Sequence, residues 1–363
     1  LTQRQCAPPV LYTRESAGNR STGDVNPRNG RAFMTNVVVT GGYGFIGSHL
    51  VSALLNRGDS VTVFDFAKNA RDTSIDFDRH PNFRFVQGDV TDVTALEEAL
   101  IPGVDTVFHL AAVVGVKNYL NDPLRVLDVN VTGTRNVLEL SRRHGTRVVF
   151  ASTSEVFGKN PNPPFAEDDD RVVGSTRTAR WSYSTSKAMA EHLVFAMHDA
   201  YGLPVTVVRY FNVYGPRQNP IFVISQSIHR ILNGHRPLLY DSGDQSRCFT
   251  YVDDAVAGTL LASESSIAIG EAFNIGSMTE TTMRDAVELA IKIAGVDSVH
   301  EAETVDTAAL YGGRYEDIPR RIPDSTKAQR ELGWQLRVDV EEGIRRTIEW
   351  ARANPWYLKG PKE

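Results

Sequence analysis

The chain is poor in cysteine. Only Cys6 and Cys248 occur in 363 residues. Two distant thiols make neither a metal-ligand spacing nor a disulfide framework, and they fit a reducing, cytoplasmic setting. No apolar run reaches the roughly 18 residues of a membrane span. Positive charge is not in excess: 39 Lys+Arg stand against 44 Asp+Glu, a formal net charge of -5. The basic footprint of a nucleic-acid binder is therefore missing. The acidic run Asp168-Asp169-Asp170 has no second ligand cluster and reads as a solvated loop, so no metal is expected. Residues 1–33 lack apolar periodicity and the apolar core of a signal peptide, and they read as a flexible leader or extension ahead of Met34.

What remains has the composition of a soluble globular protein, 41% hydrophobic and 23% charged, and is long enough for a large core in one domain or two closely joined ones. Short apolar runs at 36–40, 61–65, 83–86, 105–109, 147–151 and 205–209 alternate with helical patterns at 45–57, 94–100, 123–143 and 182–201. This alternation predicts an α/β fold, a Rossmann-like doubly wound parallel sheet over 34–208. After 210 the rhythm breaks into loops and shorter elements, with helices expected at 221–233, 281–294 and 338–353. A smaller C-terminal substrate-binding lobe over 209–363 follows, with the chain crossing back to the first domain near 248–276. Ligands of open α/β sheets sit beyond the carboxyl ends of the strands, so this lobe is expected to cap that edge.

The sharpest motif is Val37-Val38-Val39-Thr40-Gly41-Gly42-Tyr43-Gly44-Phe45-Ile46-Gly47. A strand stops at a glycine cluster and an apolar helix starts at once. Gly41 permits the tight turn, Gly44 lets the backbone approach a pyrophosphate, and Gly47 lets the helix sit close to the sheet. The N–H groups at the helix start, around Phe45 and Ile46, face the phosphates. The next strand ends at Asp65, placed to bond a ribose hydroxyl and to repel a 2′-phosphate. NAD is the expected cofactor, although Lys68 and Arg71 follow soon after and soften the preference. Further on, Tyr183 and Lys187 lie four apart and share a helix face. An ammonium and a nicotinamide cation near the phenol predict a lowered tyrosine pKa and a base for an alcohol proton. His109, at an apolar strand end, reads as structural.

Taken together the chain resembles the extended short-chain dehydrogenase/reductases, in particular the nucleotide-sugar epimerases, dehydratases and decarboxylases. The resemblance covers about 36–352 and rests on ordered motifs. They are Thr40-Gly41-x-x-Gly44-x-x-Gly47, Gly88-Asp89-Val90, His109-Leu110-Ala111-Ala112, Asn130, Ser152 to Gly158, Tyr183 with Lys187, Arg209 to Arg217, Arg247 to Asp254, and Pro323-Asp324 before Leu332-Gly333-Trp334. It implies that Asp89, with Val90, meets the adenine and that Thr153 bonds the sugar C4 hydroxyl. It also implies that Tyr183 and Lys187 serve both cofactor and catalysis, that Asn212 and Arg247 hold a UDP-sugar's diphosphate, and that the enzyme is a homodimer.

Within that family, Thr153 is followed by Ser154-Glu155. The dehydratases have an Asp-Glu pair there, and simple 4-epimerases need no carboxylate. Thr-Ser-Glu, with Arg180-Trp181 before Tyr183, resembles the UDP-glucuronate decarboxylases. Glu155 is expected to manage a proton at C5 and hold the ring, with Ser154 and Arg180 on the substrate. Arg247 is expected on the diphosphate or on the departing carboxylate. One departure exists: the run Arg209-Tyr210-Phe211-Asn212-Val213-Tyr214-Gly215 reads more like the epimerases. The expected activity is NAD-dependent decarboxylation of UDP-glucuronate to a UDP-4-keto-pentose or UDP-xylose. The alternatives are a UDP-hexose or UDP-glucuronate 4-epimerase and, in another class, a non-catalytic dinucleotide sensor.

Overall fold

A computed structural model describes residues 34–68, 75–307, 309 and 318–359. The leader expected over 1–33, and Arg71, lie outside these residues. Seven parallel strands form the central sheet, in the order edge strand Glu271–Ile275, β6 (Val205–Tyr210), β5 (Arg147–Thr153), β4 (Thr106–His109), β1 (Asn36–Thr40), β2 (Ser60–Asp65), β3 (Phe83–Gln87). Strands β1, β5 and β6 are rich in β-branched residues and almost wholly buried, as strands covered on both faces require. Helices α1 (Phe45–Asn56), α2 (Val93–Glu97), α3 (Val116–Asn121), α4 (Pro123–Leu127), α5 (Thr134–His144) and α6 (Trp181–Tyr201) make the crossovers. Core clusters fill both faces: Val39, Leu50, Leu54 and Val63 on one side, Val38, Phe64, Val107 and Leu140 on the other.

Strand order reverses between β1 and β4, which opens a crevice at their carboxyl ends. The single helix expected at 123–143 is not continuous. Asp128–Gly133 is wound in wide π turns between α4 and α5. Two contacts sit there. Gly133 lies so close to Val90 that a Cβ would stand 2.4 Å from Cγ2. Asn130 is buried and bonded to Val113 N, Val113 O and Ser186 Oγ, tying this stretch to α6.

Beyond β6 the elements are short. Ser246–Arg247 pairs antiparallel with Thr281–Thr282 and parallel with Arg320–Arg321, and this three-stranded ribbon sets Arg247 and Arg321 side by side in register. The longer helices here are Val223–Leu232, Val252–Glu264, Met283–Ala294 and Val340–Ala353. Between them the edge strand Glu271–Ile275 returns to the central sheet beside β6.

Candidate active site

One cleft of about 860 Å³ runs along the carboxyl ends of the strands. It is lined at one end by Gly41 to Gly47, Asp65, Asp89 and Val90, and at the other by Ser154, Glu155, Arg180, Asn212, Arg247 and Arg321, with Thr153, Tyr183 and Lys187 between.

The glycine end has the shape a dinucleotide needs. Gly41 has φ +74°, and Cβ atoms at Gly41 and Gly47 would stand 2.8 Å from Ala111 N and 2.1 Å from Gly41 O. Only hydrogen fits there, so the helix packs against the turn. Among the described residues no side chain caps the start of α1, and its first residues, Phe45 to Gly47, line the cleft. Asp65 is held by Tyr43 N at 2.9 Å and Phe66 N at 2.8 Å. Burial raises its carboxyl and these backbone bonds counter the shift. Asp89 accepts from Thr91 N and Oγ1, and from Arg125 Nη2 at 3.0 Å. An uncapped helix end, a glycine cradle and a carboxylate at the end of β2 together fit a dinucleotide with a free ribose hydroxyl.

In the middle, Thr153 ends β5 and its Oγ1 accepts from Glu155 N at 3.2 Å. Tyr183 reaches the Thr153 hydroxyl by a hydrogen bond and stacks on Tyr119, ring centroids 5.3 Å apart. Lys187 is 2% exposed; it donates to Ala151 O at 2.9 Å and lies over the Phe150 ring. Burial lowers this ammonium to about 8. The expectation of a lowered phenol is corrected here. Burial pushes Tyr183 up and Glu155 adds to that, against the Thr153 bond, Arg321 and Arg180. Lys187 is not among the groups that set this shift, and one of its N–H bonds goes to the Ala151 carbonyl. His109 is structural: its ring bridges Thr40 Oγ1 at 2.7 Å and Thr134 Oγ1 at 3.0 Å, and burial lowers it to about 3.

The far end is a cluster of charge. Glu155 is clamped by Arg180 Nη1 at 2.6 Å and Arg321 Nη1 at 2.8 Å. Burial alone would raise this carboxyl, but Arg321 and Arg180 outweigh it and hold it at about 2. An anion so held is a poor proton donor and a weak base at neutral pH, which argues against the expected handling of a C5 proton. Ser154 is buried and its Oγ lies 3.4 Å from Arg321 Nη1. Arg247 donates to Ser246 O and Pro319 O beside this cluster. Asn212 sits at φ +39° with Oδ1 buried and no hydrogen-bond partner among the described residues. The residues predicted from sequence thus line one cleft. Arg321 was missed. Its signal was the Arg320-Arg321 pair just before Pro323-Asp324, and only the ribbon pairing brings it to Glu155.

Residues 38–347 match the family model described as GDP-mannose 4,6 dehydratase. The UDP-N-acetyl-alpha-D-glucosaminuronate decarboxylase of Bacillus cytotoxicus is 39% identical over 87% of this chain and 97% of its own. UDP-glucuronic acid decarboxylase 1 of Xenopus tropicalis is 34% identical over 90% of this chain and 76% of its own. The crystal structure of UDP-glucuronic acid 4-epimerase from Bacillus cereus, in complex with UDP-glucuronic acid and NAD, superposes with a TM-score of 0.77 at 28% identity, over 88% of this chain and 99% of that one. Carrying this fold and these matches over nearly all its described length, the chain belongs to the extended short-chain dehydrogenase/reductase family of nucleotide-sugar epimerases, dehydratases and decarboxylases.

Proposed function

We propose that this protein is an NAD-dependent enzyme that oxidises a UDP-hexuronate at C4 and decarboxylates it, with UDP-glucuronate giving a UDP-4-keto-pentose or UDP-xylose. The observation that carries the reading is the cluster beside Thr153 and Tyr183. Two guanidiniums, of Arg180 and Arg321, clamp one carboxylate, of Glu155, and Arg247 adds a third positive charge nearby. The excess of positive charge suits a sugar that brings its own carboxylate, and it is wasted on a neutral hexose.

Gly41, Gly44, Phe45, Ile46 and Gly47 would hold the pyrophosphate of NAD, Asp65 its ribose, and Asp89 and Val90 its adenine. Bound there, NAD supplies the acceptor for the C4 hydride. Thr153 orients the C4 hydroxyl and Tyr183 takes its proton, helped by Lys187. The C6 carboxylate then lies β to a ketone and can leave as carbon dioxide, the C5–C6 electrons passing into an enolate that takes a proton at C5; hydride returned to C4 would give UDP-xylose, and without that return the UDP-4-keto-pentose would leave with NADH remaining. Arg321 and Arg180 face the carboxylate and the developing oxyanion. Glu155 holds both guanidiniums in place, and Ser154 adds a hydroxyl beside Arg321. Asn212 and Arg247 hold the diphosphate.

A second reading, 4-epimerisation of the same acid, draws on the similarity to the Bacillus cereus epimerase structure. Purified protein with UDP-glucuronate separates the two: carbon dioxide and a UDP-pentose support decarboxylation, while UDP-galacturonate without carbon dioxide overturns it. UDP-N-acetylglucosaminuronate belongs in the same assay, given the Bacillus cytotoxicus relative.

The assembly we propose is a cytoplasmic homodimer that pairs α4–α5 and α6 of two copies. Leu124, Met189 and Tyr201 on these helices are 78%, 52% and 62% exposed, which supports a seam there. A monomer mass in light scattering would refute it.

A further inference from the structure

Beneath the cleft, on the sheet-facing side of α6 that also carries Tyr183 and Lys187, lies a buried polar group that the reaction above does not use. Glu191 follows Lys187 by one helical turn and Tyr183 by two, and it is 5% exposed. Its carboxylate accepts from Arg209 Nε at 2.9 Å and Nη2 at 2.7 Å, and from Ser152 Oγ at 2.5 Å. Ser152 and Arg209 are register partners on β5 and β6. One carboxylate thus grips two adjacent strands at once. The residues one step further along them, Thr153 and Tyr210, are also partners. Side chains alternate along a strand, so Thr153 is the next residue to face the cleft. Arg209 is completed by a bond from Nη1 to Glu167 O.

We propose that Glu191 is a positioning residue for C4 oxidation: by fastening α6 to the ends of β5 and β6, it fixes the Tyr183 hydroxyl against the Thr153 hydroxyl. The geometry carries the argument. A helix that bears a proton acceptor must be held to a fraction of an ångström, and an ordinary apolar contact allows sliding that a bidentate, charge-assisted bond does not. Other polar ties of α6 to this region, such as Lys187 Nζ to Ala151 O and Ser184 Oγ to Glu155 O, are single bonds. Glu191 also acts through its charge. Burial lowers Lys187, and Glu191, one turn away, pushes it back up. The charged groups around Glu191 are Lys187 on its own helix, Arg209 on β6 and Arg171, which it also raises.

The proposal rests on C4 oxidation by this site, not on the loss of carbon dioxide, and its test keeps the two apart. The Glu191→Gln variant retains size and one acceptor but loses the charge. In single turnover with UDP-glucuronate, its NADH formation should slow by about tenfold with little change in KM, and the alkaline limb of kcat should move toward neutral pH. A ¹³C NMR titration of Lys187 needs no turnover and should show its pKa lowered in the variant. Glu191→Asp, which keeps the charge, should restore the lysine titration but not the rate. If Glu191→Gln does not fold because Arg209 is left buried and uncompensated, the Glu191→Gln/Arg209→Gln double variant removes both charges and should show the same two changes. A folded variant with the wild-type rate and an unmoved Lys187 titration overturns the proposal. Wild-type protein that makes NADH but no carbon dioxide overturns decarboxylation and leaves the proposal to be decided by the same comparisons.

Discussion

At the scale of single residues, the site separates a proton acceptor from a charge anchor. Tyr183→Phe deletes one hydroxyl and leaves the ring stacked on Tyr119, so fold and NAD binding should survive. Turnover should fall by about 10²–10⁴-fold, the span of a lost general base, in an assay of carbon dioxide release. Glu155→Gln tests the anchor. With the anion gone, Arg180 and Arg321 lose the partner that aims them. Decarboxylation should fall on the order of 10²-fold, with a smaller change in sugar-nucleotide binding by calorimetry. His109 supplies a stability prediction. Its folded value of about 3 lies below its unfolded 6.5, so the unfolded chain binds the extra proton first. The stabilisation is complete above pH 6.5 and is lost as pH falls toward 3. Between pH 7 and 5 this one group should remove about 2 kcal/mol in urea unfolding, at about 1.4 kcal/mol per pH unit below its unfolded value. A His109→Gln variant should lose that part of the slope. His49, lowered to about 4 by burial, contributes a similar slope that the variant retains.

At the scale of elements, the cradle depends on the contact between Gly47 and Gly41. A methyl at Gly47 would meet a backbone oxygen, which cannot rotate away. Gly47→Ala should therefore push α1 off the turn and yield protein with little bound NAD, measured by chromatography of nucleotide released on denaturation. Elements that follow local rules were legible in the sequence. Strands β1 to β6 and the long α6 were read within a residue or two, because β-branched runs and a 3.6-residue apolar stripe are local signals, whereas the edge strand Glu271–Ile275 was not read as a strand. The π-wound stretch Asp128–Gly133 was not, because its contacts are non-local: Gly133 against Val90 and Asn130 against Val113 and Ser186. Arg321 was missed for the same reason, since a two-residue strand leaves no periodicity to read. The tyrosine's electrostatics were misread because spacing on a helix puts Lys187 on the right face but does not say which oxygen its ammonium will choose.

At the scale of the whole molecule, the sheet is finished by a strand that comes 61 residues after β6 ends, as the bounds Tyr210 and Glu271 show by subtraction. The glycine end of the cleft and Thr153 are therefore built on the central sheet, while Arg247 and Arg321 at the far end come from the three-stranded ribbon. This return has a consequence for truncation and for evolution by fusion. A chain cut after Tyr210 would keep the glycine cradle, Thr153, Tyr183 and Lys187, yet its β6 would be left as a bare border. Val205, Val207 and Val208 there are fully buried. A flat apolar border with unpaired amides is a template for self-association. Residues 34–210 expressed alone should form large particles in size-exclusion chromatography, whereas 34–363 should not. The dinucleotide half of this enzyme is not a portable module, and an insertion that gave it a new partner would be tolerated between β6 and the returning strand, never in place of that strand.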